Sequence, residues 1–520
     1  MAPQEAAARP VTPRPVAPPQ EGARPSVYTD PVTWAIALAT FGVYAVISLF
    51  RLLQLNPSSW DLGIYTEYVK QYAHLRAPIV DVRAAGFNLL GDHFQPIVAV
   101  LAPFFRVFPS SATLLVAQAL LTAASVFPVS QVAREKLGVG PGRAVAVAYG
   151  FSWGLQQLAQ FDFHEIAFAV PLLAFSLSAL VRGHTRAAVW WALPLVFVKE
   201  DQGFTVAAIG LYLVITGLRA KISDDRAASG GGGRMAAGLF LICWGFAWSF
   251  LAIGVIIPHF NPAHHYYYWS DGGVFAPGGH PSVAGLVGQL FHAWPDKLLT
   301  VVLLLLPTAF IALGSPLALI AVPSLLLRFM STDSSFWGTY WHYNATMMPI
   351  LFIAAVDALA RIGAAMDADG ASAGAAGWAS GRHGPWRATL AGARRYGAAM
   401  MLAIAIPLAF QFPLSKLWDA QTYRISSHVA AAETAMAEVP DGATVQATLD
   451  LLAPLAARTD TFWIGNSGNP MTQYIVFDGF DSNYSPAITN VPAFIAGIYP
   501  HHTYTQIYES GDVYVFRRTG

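Results

Sequence analysis

Long apolar runs recur along almost the whole chain, and they restrict its fold more than any other feature. They fall near 34–53, 112–133, 143–160, 165–181, 187–198, 202–218, 236–257, 298–312, 316–330, 346–362 and 398–415. A hydrocarbon core of roughly 30 Å is crossed by about 20 helical residues, with a range of about 17–25. The run 187–218 would be about 48 Å long as a single helix. Lys199, Glu200 and Asp201 are therefore expected to divide it into two short helices meeting at a polar tip. The stretch 94–108 is short, carries two prolines and Arg106, and is expected to lie in the interface. The expectation is an all-α polytopic membrane protein with about eleven transmembrane helices.

Composition agrees. Only 12% of the 520 residues are charged and 55% are hydrophobic, whereas soluble domains carry about a quarter charged. The formal net charge is zero and no basic face appears, which excludes nucleic acid as a partner. Cys243 is the only cysteine, so no disulfide forms within the chain.

Lys and Arg favour cytoplasmic loops. With eleven spans, Arg134, Lys136, Arg143, Arg182, Arg186, Arg219, Lys221, Arg226 and Arg234 fall on one side. Arg361, Arg382, Arg387, Arg394 and Arg395 join them, together with Arg9, Arg14 and Arg24. This orients the chain in the plasma membrane with its N-terminus cytoplasmic and its C-terminus outside.

Residues 1–30, rich in Pro, Ala and Arg, read as a disordered cytoplasmic tail. No signal-peptide pattern precedes the first apolar run, which reads as a retained anchor. A transmembrane domain is expected over 31–415, with a long outer loop at 54–111 and an Ala/Gly-rich cytoplasmic linker at 363–397. The Gly230–Gly233 run reads as a second flexible inner loop, and no internal repeat is evident. Residues 416–520 change character, with helical patterning near 425–438 and β-like runs at 443–448, 461–465, 474–479 and 512–517. Ser510-Gly511-Asp512 is a turn before the last of these, so a small extracytoplasmic α/β domain is expected.

Under this topology five polar motifs share the outer face. They are Asp61 in DLGIYTE, Asp92-His93, Asp162-Phe163-His164-Glu165, Lys199-Glu200-Asp201 and His342-Tyr343. Ionisable groups beside the hydrocarbon are costly and point to function by default. Each has a structural alternative. Asp61 is also what a helix N-cap requires, Asp92-His93 and the Asp162 cluster suit local turns, and Lys199-Glu200-Asp201 suits an internally paired tip. His342-Tyr343 suits an interfacial pair. The loop from Pro258 to His280, with Tyr266, Tyr267, Tyr268 and Trp269, reads as an interfacial aromatic belt more than a sugar-stacking surface. Asp92, His93, Asp162, His164 and Glu165 are acceptable ligand types for a divalent metal. No compact metal motif accompanies them, so no cofactor is firmly expected.

These phrases carry a resemblance. An acidic residue after the first span, a long outer loop and a basic turn (SQVAREKLG) after the second span are similar to the GT-C superfamily of membrane glycosyltransferases. More narrowly, DLGIYTE, NLLGDHFQP, FDFHE, FVKEDQG and WHYN resemble an uncharacterised bacterial and archaeal family of GT-C-like membrane proteins, over about residues 40–360 and weakly through 441–520. The resemblance implies a polyprenyl-phosphate-linked sugar donor within the membrane and a glycan or lipid acceptor. It maps the acceptor-activating acid onto Asp61, with Asp162 and Glu165 as further candidate catalytic carboxylates. Lys199, His93, His164 and Arg328 become candidates for the phosphate, and Asp92, Glu200, Asp201, His342 and Tyr343 for other substrate contacts. Aminoarabinose-transferase-like members carry Lys-Pro-Pro at the end of the first loop, where this chain has Asp92-His93-Phe94-Gln95-Pro96. Two other functions remain open from the residues themselves: a non-catalytic lipid- or glycan-binding scaffold, and an ion-coupled transporter.

Overall fold

The computed structural model describes residues 26–222, 231–269, 282–375, 385–481, 483, 488–500 and 503–519. Residues 1–25 of the tail expected over 1–30, Arg226, Gly230, the later part of the aromatic loop and the centre of the expected linker lie outside the described residues; Val27–Thr29 form a short helical turn and Asp30 caps the first long helix, so this end of the expected tail is ordered. Six of the described helices are long and apolar enough to cross a membrane: Pro31–Leu53, Ser111–Leu137, Gln202–Ile222, Gly231–Phe260, Met347–Ala368 and Arg387–Gln411. A bent pair, Val283–Phe291 with Trp294–Thr308, turns by 68° at its break. Shorter apolar helices cover Pro96–Val107, Glu165–Val181, Thr185–Phe197 and Pro316–Phe329. The expected single run 143–160 is instead two helices, Val139–Gly150 and Trp153–Gln160, parted where Ser152 is extended.

Two expected loops are helical. Helices Met347–Ala375 and Pro385–Gln411 extend far into the expected linker, because alanine is the strongest helix former. The Arg394 Nη1 to Asp367 Oδ1 contact at 2.7 Å ties the two extensions together. Gly231–Gly233 likewise open a helix rather than a flexible loop.

That helix packs antiparallel to Gln202–Ile222 on glycines spaced seven apart: Gly203, Gly210 and Gly217 against Gly245, Gly238 and Gly231. A Cβ added at Gly203 would sit 2.3 Å from the Gly245 carbonyl oxygen, and one at Gly210 2.5 Å from that of Gly238. In lipid, helices gain little from burying apolar surface against each other, so close backbone approach and dispersion hold them together. The hairpin brings the Lys199-Glu200-Asp201 tip to a fixed place, where Ser249 Oγ donates to the Glu200 carbonyl at 2.6 Å.

Ion pairs gather at the opposite end of the bundle. Asp30 accepts from the Thr33 amide at the start of the first long helix and pairs with Arg134 at 3.2 Å and Arg143 at 2.7 Å.

The C-terminal part carries a five-stranded sheet, β1 (Thr444–Ala447), β2 (Asp460–Trp463), β3 (Tyr474–Asp478), β4 (Tyr504–Ser510) and β5 (Val513–Arg518), ordered β2-β1-β3-β5-β4. The first three strands are parallel and β5 is antiparallel to β3 and β4. Gly511 and Asp512 both have positive φ in the tight turn before β5. Strand β4 was not anticipated, since it is an edge strand with a register break between Gln506 and Tyr508. The sheet unit is docked on the long loop. Ser111 Oγ donates to the Ala453 carbonyl at 2.7 Å and Lys70 Nζ to that of Thr459 at 2.6 Å. Leu452 packs so closely that a Cβ on Gly63 would sit 3.0 Å from its own Cβ.

Gly238→Leu is expected to disrupt the glycine-packed hairpin, since overpacking costs about 1–3 kcal/mol even where backbones can part. Gly233→Ala, in the same helix with open space around it, is expected to keep the wild-type thermal midpoint or raise it. Thermal unfolding of the two purified variants checks the difference.

Candidate functional site

The site begins with a clamp. Gln118, buried in the second long helix, donates its amide to the carbonyls of Leu158 at 2.9 Å and Asp162 at 2.6 Å. Its oxygen accepts from the His164 amide at 3.0 Å, so one side chain fixes the segment that carries Asp162 and His164. Asp162, at φ 85°, then accepts from the backbone amides of Ser58 at 2.9 Å and Ser59 at 3.1 Å and lies 3.8 Å from Arg51. These contacts hold the turn immediately before Asp61. The helix Asp61–Ala73 has Trp60 at its N-cap with no side-chain cap, so Asp61 is not a cap.

Asp61 instead lines a cavity of about 180 Å³ together with Asp92, His93, His164, Lys199 and Tyr343. Arg83, Trp60 and Tyr268 complete much of its wall. A narrower neighbouring cavity of about 70 Å³ holds Glu200, Asp201 and Arg328 beside the apolar side chains of Ile166, Phe204, Ile253 and Leu327. His93, Lys199, Tyr268, Phe336 and Tyr343 line both, forming the wall between them.

Three candidates stand elsewhere. Asp162 faces a third, water-sized pocket with Arg51 and Asp450. Glu165 is fully buried behind the wall, where it pairs with His164 Nδ1, accepts from the Tyr65 hydroxyl and lies 3.3 Å from Lys199 Nζ. His342 is also buried, stacked on His164 with ring centroids 3.7 Å apart. Of the three carboxylates expected to be catalytic, only Asp61 reaches the large cavity. Asp162 is taken up by two amides, and the short helical turn that starts at Glu165 rotates that side chain into the bundle.

The polar tip pairs outward and not with itself. Glu200 Oε1 lies 2.7 Å from His93 Nδ1, and its other oxygen accepts from the Phe94 amide at 3.1 Å. Arg328 donates Nε to the Phe336 carbonyl at 2.5 Å and a terminal nitrogen to Asn344 Oδ1 at 2.8 Å, which fixes the segment leading to Tyr343. The aromatic loop is also more than a belt. The Tyr266 hydroxyl donates to Glu200 at 2.9 Å, the Tyr268 hydroxyl donates to Asp92 at 3.2 Å, and the Tyr268 ring stacks on His93 at 4.7 Å. Tyr267, by contrast, is exposed, as a belt residue would be.

Sequence reasoning missed Arg83, which bonds Asp92 at 3.1 Å and stacks over Trp60. Its backbone carbonyl accepts from Asn466 in the sheet domain. A lone arginine in a long loop gave no signal. Gln118 and Tyr65 sit inside apolar or amphipathic helices and gave none either.

Charges are sorted by these contacts. Burial pushes the Asp61 carboxyl up, against the pull of His164. Burial opposes charge on Lys199, but Glu165 and its other anionic neighbours outweigh it and hold the ammonium. Burial and Lys199 likewise oppose charge on His93, and Glu200 more than restores it. Burial pushes Asp162 up to about 7 from its ordinary 3.8, against Arg51 and the two amides. Among the described residues, no three His, Cys, Asp or Glu side chains are grouped to hold a metal ion.

With this geometry in place, the chain can be set beside known proteins. It is similar to ArnT from Cupriavidus metallidurans bound to undecaprenyl phosphate, with a TM-score of 0.50 and 14% identity over 93% of this chain and 97% of that one. The apo form of the same protein gives a TM-score of 0.48 at 14% identity, over 93% and 97%. The oligosaccharyltransferase of Archaeoglobus fulgidus in the apo form gives 0.30 at 13% identity, over 81% and 64%. The chain thus shares the fold of the lipid-bound ArnT structure. Residues 51–485 match the family described as predicted membrane protein (DUF2079), and the chain belongs to that family. No curated protein matches it.

Because the folded state raises the Asp162 pKa, it retains a proton that the unfolded chain releases. That contribution is complete below about pH 3.8 and is lost as the pH rises to about 7. Asp162→Asn keeps an acceptor for Ser58 and Ser59 and lacks the titration. The thermal midpoint of the wild type is expected to fall more steeply between these values than that of the variant; parallel curves would contradict it.

Proposed function

We propose that this protein is a GT-C-type glycosyltransferase that moves a sugar from a polyprenyl phosphate to an acceptor hydroxyl on the outer face of the membrane. The observation that carries the reading is the shared wall. Lys199, His93 and Tyr343 face both a polar cavity containing Asp61 and a narrower, partly apolar one containing Arg328. A lipid-linked sugar phosphate needs that combination: apolar walls for the isoprenoid, cations for the phosphate, and a carboxylate where the acceptor arrives. The solved ArnT structure with undecaprenyl phosphate supports this class of lipid as the ligand.

In the reaction the acceptor oxygen forms a bond to the anomeric carbon while the bond from that carbon to the phosphate oxygen breaks. Asp61 takes the hydroxyl proton, a role for which burial prepares it by raising its affinity for protons. Lys199, His93 and Arg328 stabilise the charge left on the lipid phosphate. The sheet domain, joined to Arg83 through Asn466 and with Trp463 edge-on to Trp60 at 4.9 Å, borders the path of the acceptor. Eleven crossings, with the N-terminus cytoplasmic, complete the proposal. They are supported by the basic residues Arg134, Arg143, Arg361 and Arg394, which lie within helices on the side of the bundle away from Asp61.

Asp61→Asn is expected to lower transfer from undecaprenyl-phosphate-linked sugars by about 10²–10⁴-fold without loss of folded protein. Lys199→Gln is expected to weaken undecaprenyl phosphate binding about tenfold or more, as befits a lost charged hydrogen bond. Transfer and lipid-binding assays in nanodiscs check both, and full activity in Asp61→Asn would remove that residue from the mechanism.

A further inference from the structure

We propose that His164, positioned by Glu165, donates a proton to the phosphate oxygen leaving the sugar, and so acts opposite Asp61 as a second proton-handling residue. The proposal rests on the sugar-transfer reading above. Its basis is the way the imidazole is held. The His164 amide is fixed by Gln118 at 3.0 Å, and the ring Nδ1 is paired with Glu165 Oε2. Nε2 is therefore the ring nitrogen left for the cavity that His164 lines.

Behind the ring lies His342, nearly parallel at 24° and buried, and neither of its nitrogens has a protein partner among the described residues. Burial, and then the neighbouring His164, push His342 well below the usual imidazole range. Glu165 also holds Lys199 Nζ at 3.3 Å. One buried carboxylate thus sets an ammonium and an imidazole side by side, both lining the cavity that holds Asp61. Lysine supplies a fixed charge for the phosphate, whereas an imidazole can also release a proton near neutral pH.

The step balances. The acceptor oxygen bonds to the anomeric carbon, and the carbon–oxygen bond to phosphate breaks with its electron pair on the phosphate oxygen. Asp61 receives the acceptor proton, the His164 Nε2–H bond breaks, and that proton goes to the departing oxygen. The lipid phosphate leaves with one negative charge, the charge its diester had. The proton on Asp61 then returns to His164 through water, so the protein ends as it began. Glu165 is the positioning residue, since it touches His164 and not the substrate cavity.

The test is histidine modification by diethyl pyrocarbonate, read by mass spectrometry on the full-length wild-type protein in nanodiscs. His164 is expected to react and the buried His342 to stay unmodified. Saturating undecaprenyl phosphate is expected to slow His164 at least fivefold and to leave the exposed His184 unchanged. Glu165→Gln, which removes the partner of Nδ1, is expected to change the rate of His164 modification at a fixed pH at least threefold, while Glu67→Gln, at a buried carboxylate on the Asp61–Ala73 helix, does not. In the transfer assay His164→Gln is expected to lose at least 100-fold in rate while binding undecaprenyl phosphate within threefold of wild type. If undecaprenyl phosphate binds without slowing His164, the assignment of His164 falls and the sugar-transfer reading stands. If undecaprenyl phosphate does not bind at all, both fall.

Discussion

The site depends on one buried anion. Glu165, with no exposed surface, receives Tyr65 from the first loop helix, His164 from its own turn and Lys199 from the tip between two later helices. An unpaired carboxylate in such surroundings would be heavily penalised, and so would an unpaired ammonium. Each group therefore requires the others, and together they pin three segments far apart in sequence to one point. Glu200 repeats the device with His93, the Phe94 amide and Tyr266. The result is a polar floor from which Asp61 faces the larger of the two cavities, with no ion-pair partner among the described residues.

Holding that floor at one end of an apolar bundle is a packing problem. The hairpin Gln202–Ile222 with Gly231–Leu251 solves it with backbone contact at three glycine pairs, leaving no side chain to slide. On the other flank Gln118 grips the chain on either side of Phe163 with donor and acceptor at once. Docking of the sheet domain on the Asp61–Ala73 helix and on Ser111 then closes the long loop from above.

Much of this was legible in the sequence because each polar motif interrupts or borders an apolar run, where a charge has to be explained. Asp61, Asp92, His93, His164, Lys199 and Tyr343 were all singled out for that reason, and they do share a cavity. The strands β1, β2, β3 and β5 lie within two residues of their expected places, since buried β-branched runs are distinctive. What stayed hidden is directional. Nothing in Asp162-Phe163-His164-Glu165 says that His164 faces the cavity while its acidic neighbours turn away, because that depends on the positive φ at Asp162 and a single helical turn. The seven-residue glycine spacing was present in the sequence, but it reads as loop or noise until two helices are seen in contact. Alanine-rich segments flanking 376–384 looked like linker by composition and are helix by propensity.

The most direct measurement is a cryo-electron microscopy structure of the protein with undecaprenyl phosphate in a lipid nanodisc. Phosphate density is expected within hydrogen-bonding distance of Lys199, with the isoprenoid running along Ile166, Phe204 and Leu327 and the open side of the phosphate facing Asp61. Phosphate density bound elsewhere, with Lys199 still turned to Glu165 and both cavities empty, would contradict it.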